Sequence, residues 1–466
     1  MTTAAEGPRR IAVLDIGKTN VKVVLFAEGE ETAARTMPNI VRQDGPYPHF
    51  DVARIEDFFI DAMADLNRTS GFDAVSITAH GASGALLNGP ELALPVLDYE
   101  HGGPDEAAVD YDRARPPFVE SFSPRLPGGL NLGAQLFWQA RRFPEAFAAT
   151  THVVTYPQYW AYRLTGVAAT EATSLGTHTD LWAPREGRWS SMVDALGWRA
   201  RMAPLRSAFD ILGPVRPHLA RRIGLDRPVP VACGIHDSNA SLLPHLQARQ
   251  GRFGVVSTGT WVIAFALGGS LDGLDAARDT LANVDAYSRP VPSARFMGGR
   301  EFDRLTSHSA AAPEATAIAR VVGESIMALP TFAPGSGPFP QATGRWSHDP
   351  DALTPPEISA AASLYAALMT ATCLDLLGAE GEVVVEGPFA RNDLYCDAVQ
   401  MRLGRDVHAA AGGTGTSAGA ARLFGGSDRP PGARIRAPSA LRATTGFSAY
   451  ARRWAELASG LSANPS

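Results

Sequence analysis

Near the start of this chain an acid sits in a glycine turn between two apolar runs: Arg10 to Leu14, then Asp15-Ile16-Gly17-Lys18-Thr19-Asn20, then Val21 to Phe26. A weaker echo recurs about 240 residues later, with Ser257-Thr258-Gly259-Thr260 between Phe253 to Val256 and Trp261 to Phe265. Glycine lets two strands fold back tightly, and small hydroxyl residues beside it present N–H and O–H donors to an anion. An ordinary pair of hairpins would carry the same glycines. Asp15 argues for more, because a carboxylate repels phosphate unless a cation such as Mg²⁺ bridges them. Two such turns suggest two halves gripping one polyphosphate.

A third segment, Val229 to Ala240, reads as a strand that ends in an acid and opens a helix of small residues: His236-Asp237-Ser238-Asn239-Ala240. Asp237 either caps that helix or serves as a base. The run Ala74 to Thr78 is a buried strand that ends in Ala79-His80-Gly81-Ala82-Ser83, where a lone histidine is often no more than a satisfied structural residue. The run Gly412-Gly413-Thr414-Gly415-Thr416 lacks the Gly-Lys-Ser/Thr ending of a Walker A loop, which disfavours a P-loop kinase.

The elements that position these residues follow from apolar spacing. Strands at 10–14, 21–26 and about 32–37 form a meander, and a helix near Ile55 to Leu66 carries apolar residues at Ile55, Phe58, Phe59, Ala62, Met63 and Leu66. Three antiparallel strands, a helix and a parallel strand open a ribonuclease-H-like unit, and the same order restarts at Phe253. Leu132 to Arg142 and Gln158 to Leu164 read as helices. The span 268–350 reads as mostly loop and punctuation, Pro356 to Leu377 as helix, Glu382 to Val385 as strand, and the tail after Ser459 as frayed.

With 466 residues, two domains of roughly 200 residues each are the default. A net charge of −6 offers no basic field for nucleic acid. Cys233, Cys373 and Cys396 are far apart, and the eleven histidines have no metal-ligand spacing, so neither a disulfide framework nor a zinc site is expected. No run of eighteen apolar residues and no leader-like start is present, which reads as a soluble cytoplasmic protein with no membrane partner.

From Ile11 to Leu423 the order of these motifs resembles the FGGY carbohydrate kinases of the actin-like ATPase superfamily. His236-Asp237-Ser238 is most similar to the rhamnulokinase and L-fuculokinase branch. The resemblance implies an α/β fold of two ribonuclease-H-like (actin-like ATPase) domains, 1–243 and 244–459, with an interdomain active-site cleft, and a monomer or homodimer. It implies Asp237 as catalytic base and a Mg²⁺ site at Asp15 and Asp237. Gly17, Lys18, Thr19 and Asn20, with Thr258, Gly259 and Thr260, would contact the phosphates of ATP. Gly387 and Asn392, with the run containing Gly413, would cradle adenosine. The sugar would meet His80, Gly81, Ala82, Asp98, Tyr99, His236 and Ser238.

Three positions depart from the family pattern. Asp98 to His101 stands where many members have Trp-x-Asp-x-Arg, and Gln135 replaces a usual lysine on a helix face otherwise read as core. Glu386 replaces the first glycine of a Gly-Gly pair. The implied reaction is transfer from Mg-ATP to a ketose, with a 6-deoxy-ketohexose such as L-rhamnulose or L-fuculose as substrate. The alternatives are another ketose or polyol (xylulose, ribulose, erythrulose), a nucleotide-binding sugar sensor without fast turnover, or a scaffold.

Overall fold

The structure, a computed structural model, describes residues 8–307, 311–411, 415–425 and 432–463. It divides into two compact units, one of Met1–Arg249, Ala282–Pro290 and Thr414–Pro430, the other of Gln250–Leu281, Val291–Gly413 and Pro431–Ser466. The division is therefore not one crossing near residue 243, since two short later segments belong to the first unit.

In the first unit the sheet runs in the order Ile211–Pro214, Pro230–Ala232, Ala74–Ala79, Arg10–Ile16, Asn20–Ala27 and Glu30–Pro38. Arg10–Ile16 pairs antiparallel with Asn20–Ala27 and parallel with Ala74–Ala79, the ribonuclease-H-like arrangement. A strand buried on both faces reads as a continuous apolar run, and Ile11 to Ile16 is buried throughout. Helix Val52–Thr69 begins where the Asp51 side chain accepts from the Arg54 N–H, and it buries Ile55, Phe59, Ile60, Ala62, Met63 and Leu66 in the core.

The second unit repeats the order. Phe253–Thr258 pairs antiparallel with Val262–Leu267 and parallel with Val383–Glu386, which pairs parallel with Val407–Ala410. Helix Pro355–Leu376, started by a Thr354/Glu357 capping box, is buried on nearly all sides beside Val256, Val262, Val383 and Trp454. By length and composition it could cross a membrane, but its burial marks it as a core helix.

Two expectations need refining. The span 268–350 is loop over a little more than half of its described residues, but it is not loop throughout. It holds strands Thr280–Val284 and Pro290–Phe296 and helices Gly298–Leu305 and Ala315–Gly323. The prolines that disguise the second strand, Pro290 and Pro292, lie outside its ladder with Val262–Leu267, which begins at Ser293. The tail is not frayed at Ser459 either, for helix Phe447–Ala463 runs on, anchored by buried Trp454 and Ala458.

Within the first unit, helix Thr416–Ala421 lies so close on helix Asp237–Ala248 that a Cβ on Gly419 would stand 1.8 Å from the Ala240 carbonyl oxygen. Gly419→Ala should therefore force the two helices apart and cost on the order of 1–3 kcal/mol. A thermal melt that matches wild type would show that the contact can relax freely.

Candidate active site

Three parallel strands of the first unit end at one edge of the sheet. Asp15 pairs with Thr78, and both Ile16 and His236 pair with Ala79, so Asp15, His80 and Asp237 emerge together where open α/β sheets bind ligands. A kink makes this possible. Gly234, at φ +94°, breaks Pro230–Ala232 from Ile235–His236, and a Cβ there would come 3.0 Å from the Ile77 carbonyl oxygen. Buried Gln158 holds the kink by donating from Nε2 to the carbonyls of Cys233 and Gly234, each at 3.0 Å.

Asp237 is the first residue of helix Asp237–Ala248, and His236, not Asp237, is the cap position. Three donors converge on its Oδ1: His236 Nε2 at 3.0 Å, the Ser238 N–H at 2.6 Å and Ser238 Oγ at 3.2 Å. Among the described residues no donor reaches Oδ2. Desolvation pushes this carboxyl up, but His236, with His80 and the Ser238 N–H behind it, more than offsets that and holds it below the ordinary carboxylate range. It is ionised at neutral pH, and its side chain is 28% exposed.

Asp15 is shifted the other way. Burial is the main cause and the Asp237 charge adds to it, while the hydroxyls of Ser417 and Thr416, donating to Oδ2 at 2.5 and 3.0 Å, work against it. Two carboxylates raising the cost of each other's charge are the oxygen ligands a hard divalent cation takes, so Asp15 and Asp237 fit Mg²⁺. Thr416, which sequence groups with the adenosine run, stands at Asp15 instead. Gly413 lies outside the described residues.

The Gly17–Asn20 turn is closed by the Gly17 N–H on the Asn20 carbonyl at 2.9 Å, and Asn39 clamps it by donating from its side chain to the Gly17 carbonyl at 2.8 Å. Lys18 does not leave its ammonium free for phosphate. It pairs with Asp98 and with Glu100 at 3.3 Å, over the rings of Tyr99 and Phe50 at 4.7 and 5.2 Å. Any phosphate contact by Lys18 therefore falls to its backbone N–H.

The His80 ring packs among Phe50, Tyr156 and Tyr99, with centroids at 5.0, 4.9 and 5.3 Å. Its Nδ1 donates to the Gly81 carbonyl at 3.0 Å, which leaves Nε2 a buried acceptor without a partner among the described residues. Gly81 is required beside it, since a Cβ would stand 2.8 Å from His236 Nε2. Ala82 adopts φ +55° and its carbonyl accepts from Gln135 Nε2 at 2.6 Å. Gln135, read from sequence as plain core, thus positions this turn. A polar residue buried inside an apolar helix stripe was the available signal, because such a group needs a partner.

The second unit contains its own cavity of about 790 Å³, lined among others by Thr258, Gly259, Thr260, Gly299, Phe389 and Asn392. Its walls touch through bare backbone. A Cβ on Gly387, which has φ +78°, would stand 2.0 Å from the Thr258 carbonyl oxygen, and one on Gly299 would stand 2.1 Å from that of Gly259. Thr258 Oγ1 donates to the Glu386 carbonyl and accepts from the Phe389 N–H at 3.1 Å. Asn392 caps helix Asp393–Leu403 through the Tyr395 N–H at 3.0 Å and donates to Ser363 Oγ at 2.8 Å.

Two family profiles match this chain. "FGGY family of carbohydrate kinases, N-terminal domain" covers residues 130–244, and "Carbohydrate kinase FGGY, C-terminal domain" covers residues 250–432. The fold also matches the crystal structure of a carbohydrate kinase from Novosphingobium aromaticivorans, at 36% identity and TM-score 0.91 over 98% of this chain and 99% of that one. The chain belongs to the FGGY family of carbohydrate kinases. It is also similar to a rhamnulokinase of Enterobacter sp. (strain 638), 26% identical over 267 residues, 54% of this chain and 53% of that protein, so it spans about half the length of that curated relative. A xylulose kinase from Rhodospirillum rubrum, 18% identical, shares the fold at TM-score 0.78 over 97% of this chain and 99% of that one.

Burial drives His80 down to about pKa 4, below its ordinary 6.5. Between those values the unfolded chain binds more protons, so the stability that neutral His80 contributes is present above pH 6.5 and is lost as pH falls toward 4. Chemical denaturation should show wild type losing on the order of 2–3 kcal/mol more than His80→Gln across that window. Parallel losses would place the titration elsewhere.

Proposed function

We propose that this protein transfers the γ-phosphate of ATP to a ketose hydroxyl, with Asp237 as general base. The observation that carries the proposal is the Asp237 carboxylate itself: ionised, pinned at Oδ1 by three donors, and open at Oδ2. A sensor or scaffold has no use for a base so prepared. The sugar O–H proton passes to Oδ2 as the oxygen bonds to the γ-phosphorus, and the bond from that phosphorus to the bridging oxygen breaks to release ADP. His80 Nε2 accepts a second sugar hydroxyl, and Ala82 and the Tyr99 ring supply an apolar side.

We assign phosphate contacts to the donors at Gly17 to Asn20 in the first unit and, separately, to those at Thr258 to Thr260 in the second, and the adenosine to the second unit's cavity beside Gly387 and Asn392. Asp15 and Asp237 would hold Mg²⁺, which when bound neutralises charge on the phosphate oxygens. The substrate proposed is a 6-deoxy-ketohexose such as L-rhamnulose or L-fuculose, phosphorylated on its primary hydroxyl. The rhamnulokinase likeness and His236-Asp237-Ser238 support it.

A coupled ADP-release assay across ketoses and polyols tests activity and substrate together. Turnover of glycerol, xylulose or ribulose at least tenfold more efficient than of either deoxy sugar would replace the substrate and leave the kinase reading intact. Asp237→Asn should lower kcat by on the order of 10²–10⁴ while ATP still binds. A variant within threefold of wild type would remove Asp237 from the mechanism. Asp15→Ala should weaken the Mg²⁺ dependence of ATP affinity measured by calorimetry, whereas a merely structural Asp15 would leave that dependence as in wild type.

A further inference from the structure

Lys18 stands in a phosphate-type turn, yet its ammonium is turned to the residues proposed for the sugar. Nζ pairs with Asp98 and, at 3.3 Å, with Glu100. It sits over the rings of Tyr99 and Phe50, 4.7 and 5.2 Å from their centroids. The same two rings flank His80, at 5.3 and 5.0 Å, and its Nε2 is buried without a partner among the described residues. The charges of Asp237 and of Lys18 both act on the His80 ring, in opposite directions, and that of Asp237 reaches the Tyr99 hydroxyl as well. Lys18, His80, Asp98, Tyr99 and Asp237 thus form one cluster, wholly within the first unit.

An ammonium has three donors and no acceptor. Asp98 and Glu100 draw two of them, and the third has no partner among the described residues. The nitrogen is tetrahedral, so fixing two N–H directions fixes the third, and one donor is left with a set direction and nothing to receive it. The acid beside it is left open in the same way. Asp98 Oδ1 takes both the ammonium and the Glu100 N–H, the latter at 3.2 Å, whereas Oδ2 receives no donor among the described residues. A pair that served packing alone would close on itself. This one leaves a donor and an acceptor side by side where the Lys18 side chain is still 22% exposed. Two hydroxyls on neighbouring carbons, one accepting and one donating, complete such a pair with charge-assisted hydrogen bonds.

We infer that Lys18 is an acceptor-binding residue: its ammonium, with Asp98 Oδ2 beside it, binds a pair of vicinal hydroxyls on a neutral sugar, while only its backbone N–H serves phosphate. The inference rests on the kinase reading. Sugar acids are disfavoured, because one ammonium stands against the carboxylates of Asp98 and Glu100, with that of Asp237 in the same cluster.

ADP release on the best acceptor among L-rhamnulose, L-fuculose, xylulose, ribulose and glycerol separates the roles Lys18 could have. Lys18→Met should raise the acceptor KM about 10–100-fold and change that for Mg-ATP less than threefold. A rise in the ATP KM with the acceptor KM unchanged overturns the inference. A lysine that merely holds the segment 98–101 is told apart by analogues of that acceptor, each lacking one hydroxyl other than the one phosphorylated. On at least one analogue, wild type and Lys18→Met should differ less than threefold in kcat/KM, since the hydroxyl that Lys18 binds is gone. Equal losses on the parent and on every analogue overturn the inference, and so does gluconate turned over as efficiently as that acceptor.

Removing Lys18 strips buried Asp98 of its cation, a costly state. Should Lys18→Met not fold, the same substitution in Asp98→Asn, compared with Asp98→Asn alone, carries the test. The inference and the kinase reading fail separately. A wild-type acceptor KM in Lys18→Met, with sugar-dependent ADP release intact, defeats the inference alone. If wild type releases no ADP with any acceptor, the kinase reading falls, and saturation-transfer NMR of the same sugars decides the inference: binding lost in Lys18→Met upholds it, whereas binding unchanged, or absent from wild type, overturns it.

Discussion

Two carboxylates at one edge of one sheet, Asp15 and Asp237, set the demand that the rest of the first unit answers. Each charge removed from water costs several kcal/mol unless compensated, and here the compensation differs. Asp237 has donors enough to lie below the ordinary range, whereas Asp15 has two hydroxyls and lies above it. The residual cost at Asp15 is one that a bound cation would offset.

Holding these groups requires backbone to approach backbone and ring more closely than a side chain permits. Gly81 beside His236, Gly234 beside Ile77, and Gly419 against Ala240 are three such approaches in the first unit, and Gly299 on Gly259 and Gly387 on Thr258 are two in the second. In each case the distance a Cβ would occupy is already taken. The glycines therefore act as distance constraints: they fix how far the strand ends that carry Asp15, His80 and Asp237, and the Ser257–Thr260 turn, stand from their neighbours. Positioning to a fraction of an ångström is worth more to phosphoryl transfer than any one added contact.

What was legible in the sequence were features carried by local pattern. Asp15 in a turn between apolar runs, Asp237 where a strand meets a helix, and the repeated strand order all depend on neighbours a few residues away. What was not legible depends on partners far along the chain. Ser417 reaches Asp15 across 402 residues and Gln135 reaches Ala82 across 53, and no spacing rule predicts either. Lys18 illustrates the same limit. A lysine in a phosphate-type turn reads as a phosphate ligand, yet Asp98, 80 residues on, holds its ammonium. Strand Pro290–Phe296 was hidden for a different reason, since its prolines precede the ladder and mask a run that pairs normally from Ser293 onward.

The engagement of Lys18 bears on selectivity. Because its ammonium is tied to Asp98 and Glu100 over the Tyr99 ring, the turn expected at the phosphates and the segment expected at the sugar are joined by one side chain within one unit. A substitution in the sugar segment is then not confined to sugar affinity. Removing Asp98 would leave the ammonium paired with Glu100 alone and change the charge beside the Gly17–Asn20 turn. Here the segment departs from the Trp-x-Asp-x-Arg pattern, so the cation comes from Lys18 in the turn and not from an arginine within the segment. The cation beside Asp98 to His101 is supplied by the Gly17–Asn20 turn, which couples the two segments through Lys18.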